Sequence, residues 1–436
     1  MSQLHRFVLA CMALGLSGLL EAAEAKLNLT LDRKDGVYRL GEEVKLTITH
    51  PGKENPHLKK PMRIVVYHSD GSAKSFDFPE FQNRFTMKIQ SSAVRFFVLS
   101  YYNADRKNTG KDGKGPAGIS GMIGAAADPE IIRPGFQEPA DFQQFWDKAL
   151  AELAKVPVKA SRKETAVPQG MQGKFRCWDI KVDCAGNAPV SGYLTMPADA
   201  KPKSLAAIVT FQGAGVYSAW KKCVPGAIYF NINAHGIENG KAREFYRNLG
   251  KKELAGYRSR NADDREKYYF RNMFLRVKRA LDYVKTLPEY DGKTLIVSGS
   301  SQGGAQSIVA AALDPDVVLM QASVPAMCDH GGILAGRKSG WPQLIKCKKG
   351  KILNPELTRS LPYYDMAFFA RRIKAEAYFT VGLIDTTCCP DSVYSAFNLI
   401  PGRKKILTMP DKGHVGTPSP EFRLRQQELI RQAGKR

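Results

Sequence analysis

The segment around residue 300 constrains this chain more than any other. A strand-like run at 294–298 passes straight into Gly299-Ser300-Ser301-Gln302-Gly303-Gly304, and a helix-compatible run at 306–313 follows at once. A strand that becomes a helix within so few residues must turn sharply at the serine. The residues two positions away must then be nearly free of side chain, so that strand and helix can approach each other. This turn belongs at the carboxyl edge of a sheet built from strands and helices in alternation.

That alternation runs through residues 128–436. A helix is expected at 139–155: Pro139 suits its first turn, Phe142, Phe145, Leu150 and Leu153 recur at helical spacing, and Pro157 stops it. Strands are expected at 178–183, 191–196, 205–211, 227–233, 294–299, 317–323, 377–382 and 405–409. Several are continuous apolar runs such as Leu295-Ile296-Val297, which suits strands covered on both faces. A long helix is expected at 264–287, with Phe270, Met273, Val277, Leu281 and Val284 on one stripe. Strands alternating with helices imply an α/β domain with a mainly parallel sheet.

Residues 26–102 read differently. Leu27, Leu29 and Leu31 alternate with polar residues, as do Val44, Leu46 and Ile48, and then Phe85, Met87 and Ile89. Turn signals at Asp35-Gly36, Pro51-Gly52 and Asp70-Gly71 separate these runs, so a small all-β, sandwich-like domain is expected. Residues 103–127, with Gly110, Gly113, Gly115, Gly118, Gly121 and Gly124, read as a linker. Residues 1–25 read as an export signal: His5 and Arg6, an apolar stretch at 7–20, then Ala23-Glu24-Ala25 as the cleavage pattern. The expected location is therefore secreted or periplasmic. No later stretch is apolar for the ~20 residues of a membrane span.

Cleavage after Ala25 would leave Cys177, Cys184, Cys223, Cys328, Cys347, Cys388 and Cys389, an odd set with no zinc-framework spacing. The net charge of +23 favours acidic partners, an anionic polysaccharide among them. The bases are spread along the chain, with a local cluster at 346–351 and no helix-turn-helix or zinc-finger pattern, so no nucleic acid is expected.

The chemistry follows from the elbow. A serine hydroxyl needs a base, and of seven histidines His5 lies in the leader while His50, His57 and His68 lie in the β-domain. In the order Ser, acid, His that accompanies this elbow, His235 comes too early. His330 follows the elbow without an intervening acid-bearing strand. His414, just after the strand at 405–409, is the expected base. Asp385, in the turn after 377–382, is the expected acid, ahead of Asp391 and Asp411. The oxyanion donors are expected to be the backbone N–H groups of Gln302 and, in the loop Phe211-Gln212-Gly213-Ala214-Gly215, of Ala214.

Gly299-Ser300-Ser301-Gln302-Gly303-Gly304 resembles the G-x-S-Q-G-G elbow of the acetyl xylan esterase and cephalosporin C deacetylase family. The segment from Pro139 to Trp146 is similar to that family's opening helix, and residues 268–291 to the helix leading to the elbow. Gly382-Leu383-Ile384-Asp385-Thr386-Thr387-Cys388 is similar to its G-L-x-D-x-x-C segment, so the family's acid falls on Asp385. The similarity covers roughly residues 130–430 and leaves out the β-domain. It implies an α/β-hydrolase fold and a serine carboxylesterase that removes acetyl groups from sugars or polysaccharides without a metal or other cofactor. Family members are often hexamers, so a homo-oligomer is implied too. Three motifs depart from the family: Gln212-Gly213-Ala214 stands for His-Gly-Tyr, His235-Gly236-Ile237 for Arg-Gly-Gln, and His414-Val415 for His-Glu. Two other readings stand beside this one. The first is a hydrolase of bulkier uronic-acid or feruloyl esters or of a peptide bond; the second is a glycan-binding protein with a vestigial site.

Overall fold

The structure, a computed structural model, describes residues 27–49, 62–89, 94–101, 120–186, 188–348 and 350–435. The leader read at 1–25 and most of the linker read at 103–127 lie outside the described residues.

The N-terminal part consists of two sheets around one core. Asn28–Leu31, Glu43–Thr49 and Arg84–Lys88 form a three-stranded sheet. Val37–Tyr38, Ser120–Ala127, Val94–Tyr101, Met62–His68 and Ala73–Phe78, in that order, form a five-stranded one. Alternation decides which side faces inward: Val44, Leu46 and Ile48 are buried while Glu43, Lys45, Thr47 and Thr49 are exposed. They share a core with Met62, Ile64, Val66, Phe85 and Ile123.

Residues 120–127, read as the end of the linker, are instead a strand. They pair antiparallel with Val94–Tyr101 and, at Ala126 and Ala127, parallel with Val37–Tyr38. Ile123, Ala125 and Ala127 bury their side chains in the β-core. The glycines in between serve close approach rather than turning, which composition alone cannot distinguish.

The remainder is a nine-stranded sheet with helices on both faces. From one edge the strands are Lys404–Met409, Glu376–Gly382, Val317–Ser323, Tyr290–Ser300, Leu205–Phe211, Ala227–Ile232, Val190–Pro197, Phe175–Val182 and Ala160–Glu164. The first six are mutually parallel, and the last three join antiparallel. This is the α/β-hydrolase arrangement. The edge strand Ala160–Glu164 escapes a hydrophobicity reading because its residues Ser161 to Glu164 are all exposed. Such a charged edge resists pairing with another chain.

One sheet face packs against Phe142–Ala154, Tyr269–Lys285 and Gln302–Leu313 through a large core that includes Trp146, Phe270, Phe274, Val297 and Ile308. Pro420–Ala433 covers the opposite face, where Phe422 meets Ile208, Tyr229, Ile296, Leu319 and Tyr378. That helix begins on a side-chain cap, with Ser419 Oγ accepting the Phe422 N–H at 3.1 Å. Among the described residues, no helix is long and apolar enough to cross a membrane.

Because Phe422 is 2% exposed and seats its helix in the apolar cluster on that face, Phe422→Ala is expected to cost about 3–5 kcal/mol. Urea unfolding of the purified variant measures this; a loss below 1 kcal/mol would mean that the helix is held by something other than its apolar stripe.

Candidate active site

Ser301 stands between the strand Tyr290–Ser300 and the helix Gln302–Leu313 with φ 57° and ψ −122°. A non-glycine residue in this region is strained by about 1–3 kcal/mol and persists only where its surroundings over-determine it. They do so here. The Ser301 N–H donates to Ser323 O at 2.9 Å, and Ser301 O accepts from the Ala326 N–H at 3.0 Å. The close approach demanded by the sequence is literal: a Cβ on Gly299 would lie 2.3 Å from Gly303 O, and one on Gly303 would lie 2.3 Å from Phe211 O. With strand and helix pressed together, the Ser301 hydroxyl lies at the carboxyl edge, where the first N–H groups of the helix have no partner within it.

Asp385 and His414 reach the same place from neighbouring parallel strands. Gly382 pairs with Met409, so Glu376–Gly382 and Lys404–Met409 leave the sheet on the same side. Their loops are then tied together, Leu383 N–H to Met409 O at 3.0 Å and Ile384 N–H to Lys412 O at 3.2 Å. Asp385 is fully buried, and its Oδ1 accepts the N–H groups of Thr387 and Cys388 at 2.8 and 3.0 Å. Its Oδ2 accepts from His414 Nδ1 at 2.7 Å. Since that nitrogen carries the proton, His414 Nε2 is the acceptor for the Ser301 hydroxyl, 2.9 Å away. Three side chains far apart in sequence thus form one hydrogen-bonded chain.

The competing residues are elsewhere engaged. Asp391 is buried in the helix Pro390–Phe397, and Asp411 is exposed and paired with Lys412. His330 is fully buried, its backbone N–H donating to Asp365 at 2.7 Å.

The strand Leu205–Phe211 lies beside Tyr290–Ser300, with Phe211 opposite Gly299. Its other neighbour is Ala227–Ile232, so strand order reverses here, the place where open α/β sheets form a ligand crevice. The loop that follows therefore runs next to Ser301: a Cβ on Gly213 would be 4.0 Å from Ser301 Cβ. Ala214, the next residue, is exposed.

This loop is held from behind by His235 and by two tyrosines, Tyr257 and Tyr269, that the sequence did not single out. Gly215 N–H donates to the Tyr257 hydroxyl at 3.3 Å, and that hydroxyl donates to Gln302 Oε1 at 2.8 Å. Gly215 O lies 3.0 Å from His235 Nε2, and His235 Nδ1 lies 2.8 Å from the Tyr269 hydroxyl. A carbonyl can only accept, so His235 carries its proton on Nε2 and accepts from Tyr269 on Nδ1. Burial pushes the His235 pKa down to about 4. The ring is therefore neutral at ordinary pH. His235 follows the strand Ala227–Ile232 at the same carboxyl edge, a placement legible in sequence; nothing in the pattern marked the two tyrosines.

Among the described residues, no group of three or more His, Cys, Asp or Glu is placed to hold a metal ion. Cys177, Cys184, Cys223, Cys328, Cys347, Cys388 and Cys389 are all free thiols.

The family model described as acetyl xylan esterase (AXE1) matches residues 130–428. An acetyl esterase of Xylanibacter ruminicola, Axe7A, is 32% identical over 307 residues, which is 67% of each chain. Among solved structures, acetyl xylan esterase 1 from Thermoanaerobacterium sp. JW/SL YS485 is 24% identical with a TM-score of 0.58, covering 70% of this chain and 97% of its own. The acetyl xylan esterase of Paenibacillus sp. R4 is also 24% identical, with a TM-score of 0.56 over 70% of this chain and 98% of its own.

The two buried histidines imply an acid-labile fold. Burial lowers His235 and His330 from the ordinary 6.5 to about 4, so the unfolded chain binds more protons than the folded one between those values. Their contribution to stability is intact above pH 6.5 and is lost as pH falls towards 4, by about 1.4 kcal/mol per pH unit for each ring. His330→Leu should flatten the slope of urea-unfolding free energy against pH in that window by one proton. An unchanged slope would contradict it.

Proposed function

This chain belongs to the acetyl xylan esterase family and is a carboxylic ester hydrolase with carbohydrate esterase activity, and on that premise we propose that it deacetylates acetylated sugars or polysaccharides through Ser301, His414 and Asp385. The observation that carries this reading is the unbroken contact from Asp385 Oδ2 through the imidazole of His414 to Ser301 Oγ. His414 Nε2 takes the hydroxyl proton as Ser301 Oγ attacks the ester carbonyl. Asp385 holds the ring in the productive tautomer and stabilises the imidazolium that forms. The N–H of Gln302, at the helix start, and that of Ala214, in the neighbouring loop, receive the oxyanion. The alcohol departs with the proton returned by His414, leaving an acyl-enzyme. Water, deprotonated by the same imidazole, then releases acetate and restores the serine.

No step requires a metal or organic cofactor. The leader read at residues 1–25 would take the enzyme to the compartment where polysaccharide is found. An excess of 65 Lys and Arg over 42 Asp and Glu suits a glycan that carries acidic substituents.

Ser301→Ala is expected to lower kcat on 4-nitrophenyl acetate by at least ~10³-fold with circular dichroism unchanged. Activity comparable to the parent protein would remove Ser301 from the mechanism. Across acetyl, butyryl and glucuronoyl esters of one alcohol, kcat/KM should be highest for acetyl. A preference for glucuronoyl would favour an enzyme of bulkier esters.

A further inference from the structure

The family match begins at residue 130, so the β-domain lies outside it, yet that domain touches both loops of the acid–base pair. Gly124, in the strand Ser120–Ala127, donates its N–H to Pro410 O at 2.8 Å. A Cβ on Gly124 would stand 2.5 Å from Leu383 Cβ and 2.8 Å from Leu383 O. Gly36 closes on the same two residues, since its Cβ would be 2.9 Å from Pro410 Cγ and 3.1 Å from Leu383 Cδ1. Leu383 lies just ahead of Asp385, and Pro410 just ahead of His414.

A second arm reaches the other side of Asp385. Ser69 O, in the turn after Met62–His68, accepts the Lys338 N–H at 3.2 Å, and the Lys338 ammonium donates to Thr386 O at 2.8 Å. Below these contacts the chain is pinned again: Asn398 Nδ2 donates to Pro129 O and Ile132 O at 2.9 and 3.0 Å, where the β-domain joins the hydrolase domain.

A spacer domain has no reason to seat bare backbone against the two loops that must agree to within a fraction of an ångström. Resting on the reading of Ser301, His414 and Asp385 as the reacting triad, we propose that the β-domain is a brace that positions Asp385 and His414 relative to each other. Gly124 and Gly36 are its contact points on Leu383 and Pro410, and Lys338 links Ser69 to Thr386. These are positioning residues: none touches substrate, and their effect passes through the Asp385–His414 hydrogen bond.

The test uses the full chain. Gly124→Ala adds one methyl group where Leu383 leaves no room and should spread the acid and base loops. Expected are a fall in kcat on 4-nitrophenyl acetate of about 10- to 100-fold and an unchanged KM. The acidic limb of the kcat/KM–pH profile should also move to lower pH, because an imidazole that loses its carboxylate is easier to deprotonate. A lowered melting temperature with kcat and the acidic limb unchanged would show that the domain only stabilises, and would overturn the brace. Should Gly124→Ala fail to fold, Lys338→Met decides, since it removes the ammonium and leaves the packing alone. A fall in kcat with KM unchanged supports the brace, and an unchanged kcat overturns it. Ser301→Ala assayed alongside separates the two levels. An active Ser301→Ala enzyme refutes the triad itself, whereas an inactive one beside a fully active Gly124→Ala refutes only the brace.

Discussion

The left-handed turn at Ser301 is where the remaining geometry begins. A serine at φ 57° relaxes unless strand and helix are clamped on either side of it, and Gly299 and Gly303 permit that clamp by letting backbone meet backbone. The clamp brings in a third strand, because the side chain missing from Gly303 would have struck Phe211 O at the end of Leu205–Phe211. The turn that exposes the hydroxyl therefore also draws in the loop that begins at Gln212. Gln306 strengthens this contact by donating from Nε2 to Gln212 O at 2.9 Å. The Ser301 hydroxyl and the loop after Phe211 are thus set by one packing contact.

The departures from the family motifs make sense as one local solution. His235, where the family carries arginine, holds Gly215 O through a neutral ring, while Tyr257 holds Gly215 N–H and Gln302 Oε1 together. Both carbonyl and amide of one glycine are thereby fixed against the residue that opens the helix. The Tyr217 hydroxyl, donating to Gly213 O at 3.1 Å, braces the same loop from its far end. Each of these bonds satisfies a buried polar group that would otherwise cost about 1–3 kcal/mol unpaired.

Much of the fold was legible because burial on both faces leaves a mark. Leu205–Phe211 is apolar but for Thr210, Val317–Ser323 opens on four apolar residues, and the observed bounds of both coincide with the expected ones. The elements that escaped leave no such mark: Ala160–Glu164 is charged and exposed, and Ser120–Ala127 hides its strand character behind glycines that serve packing. The helix Pro420–Ala433 escaped as well, because its apolar stripe is sparse, with Leu424 exposed between Phe422 and Leu429. For the site, chain order and strand ends suffice to nominate Ser301, Asp385 and His414, and the structure brings those three within hydrogen-bond reach. Tyr257, Tyr269 and the contacts of Gly36 and Gly124 depend on which loops meet in space, which no local pattern encodes.

The three histidines of the hydrolase domain divide their duties by burial. His235 and His330 are almost wholly enclosed, and desolvation keeps both neutral at ordinary pH. A ring that cannot take a proton is a dependable fixed donor, which is what the Gly215 carbonyl needs. His414 has the opposite situation: its side chain is 31% exposed above a fully buried carboxylate. Its ring meets water on one side and the Asp385 carboxylate on the other. Such a residue gains nothing from being buried itself; its precision must come from the loops beneath it. The ties from Leu383 to Met409, from Ile384 to Lys412 and from Gly124 to Pro410 supply that precision, and they include the β-domain because the sheet's own edge ends at Lys404–Met409 with no further strand, among the described residues, to lean on.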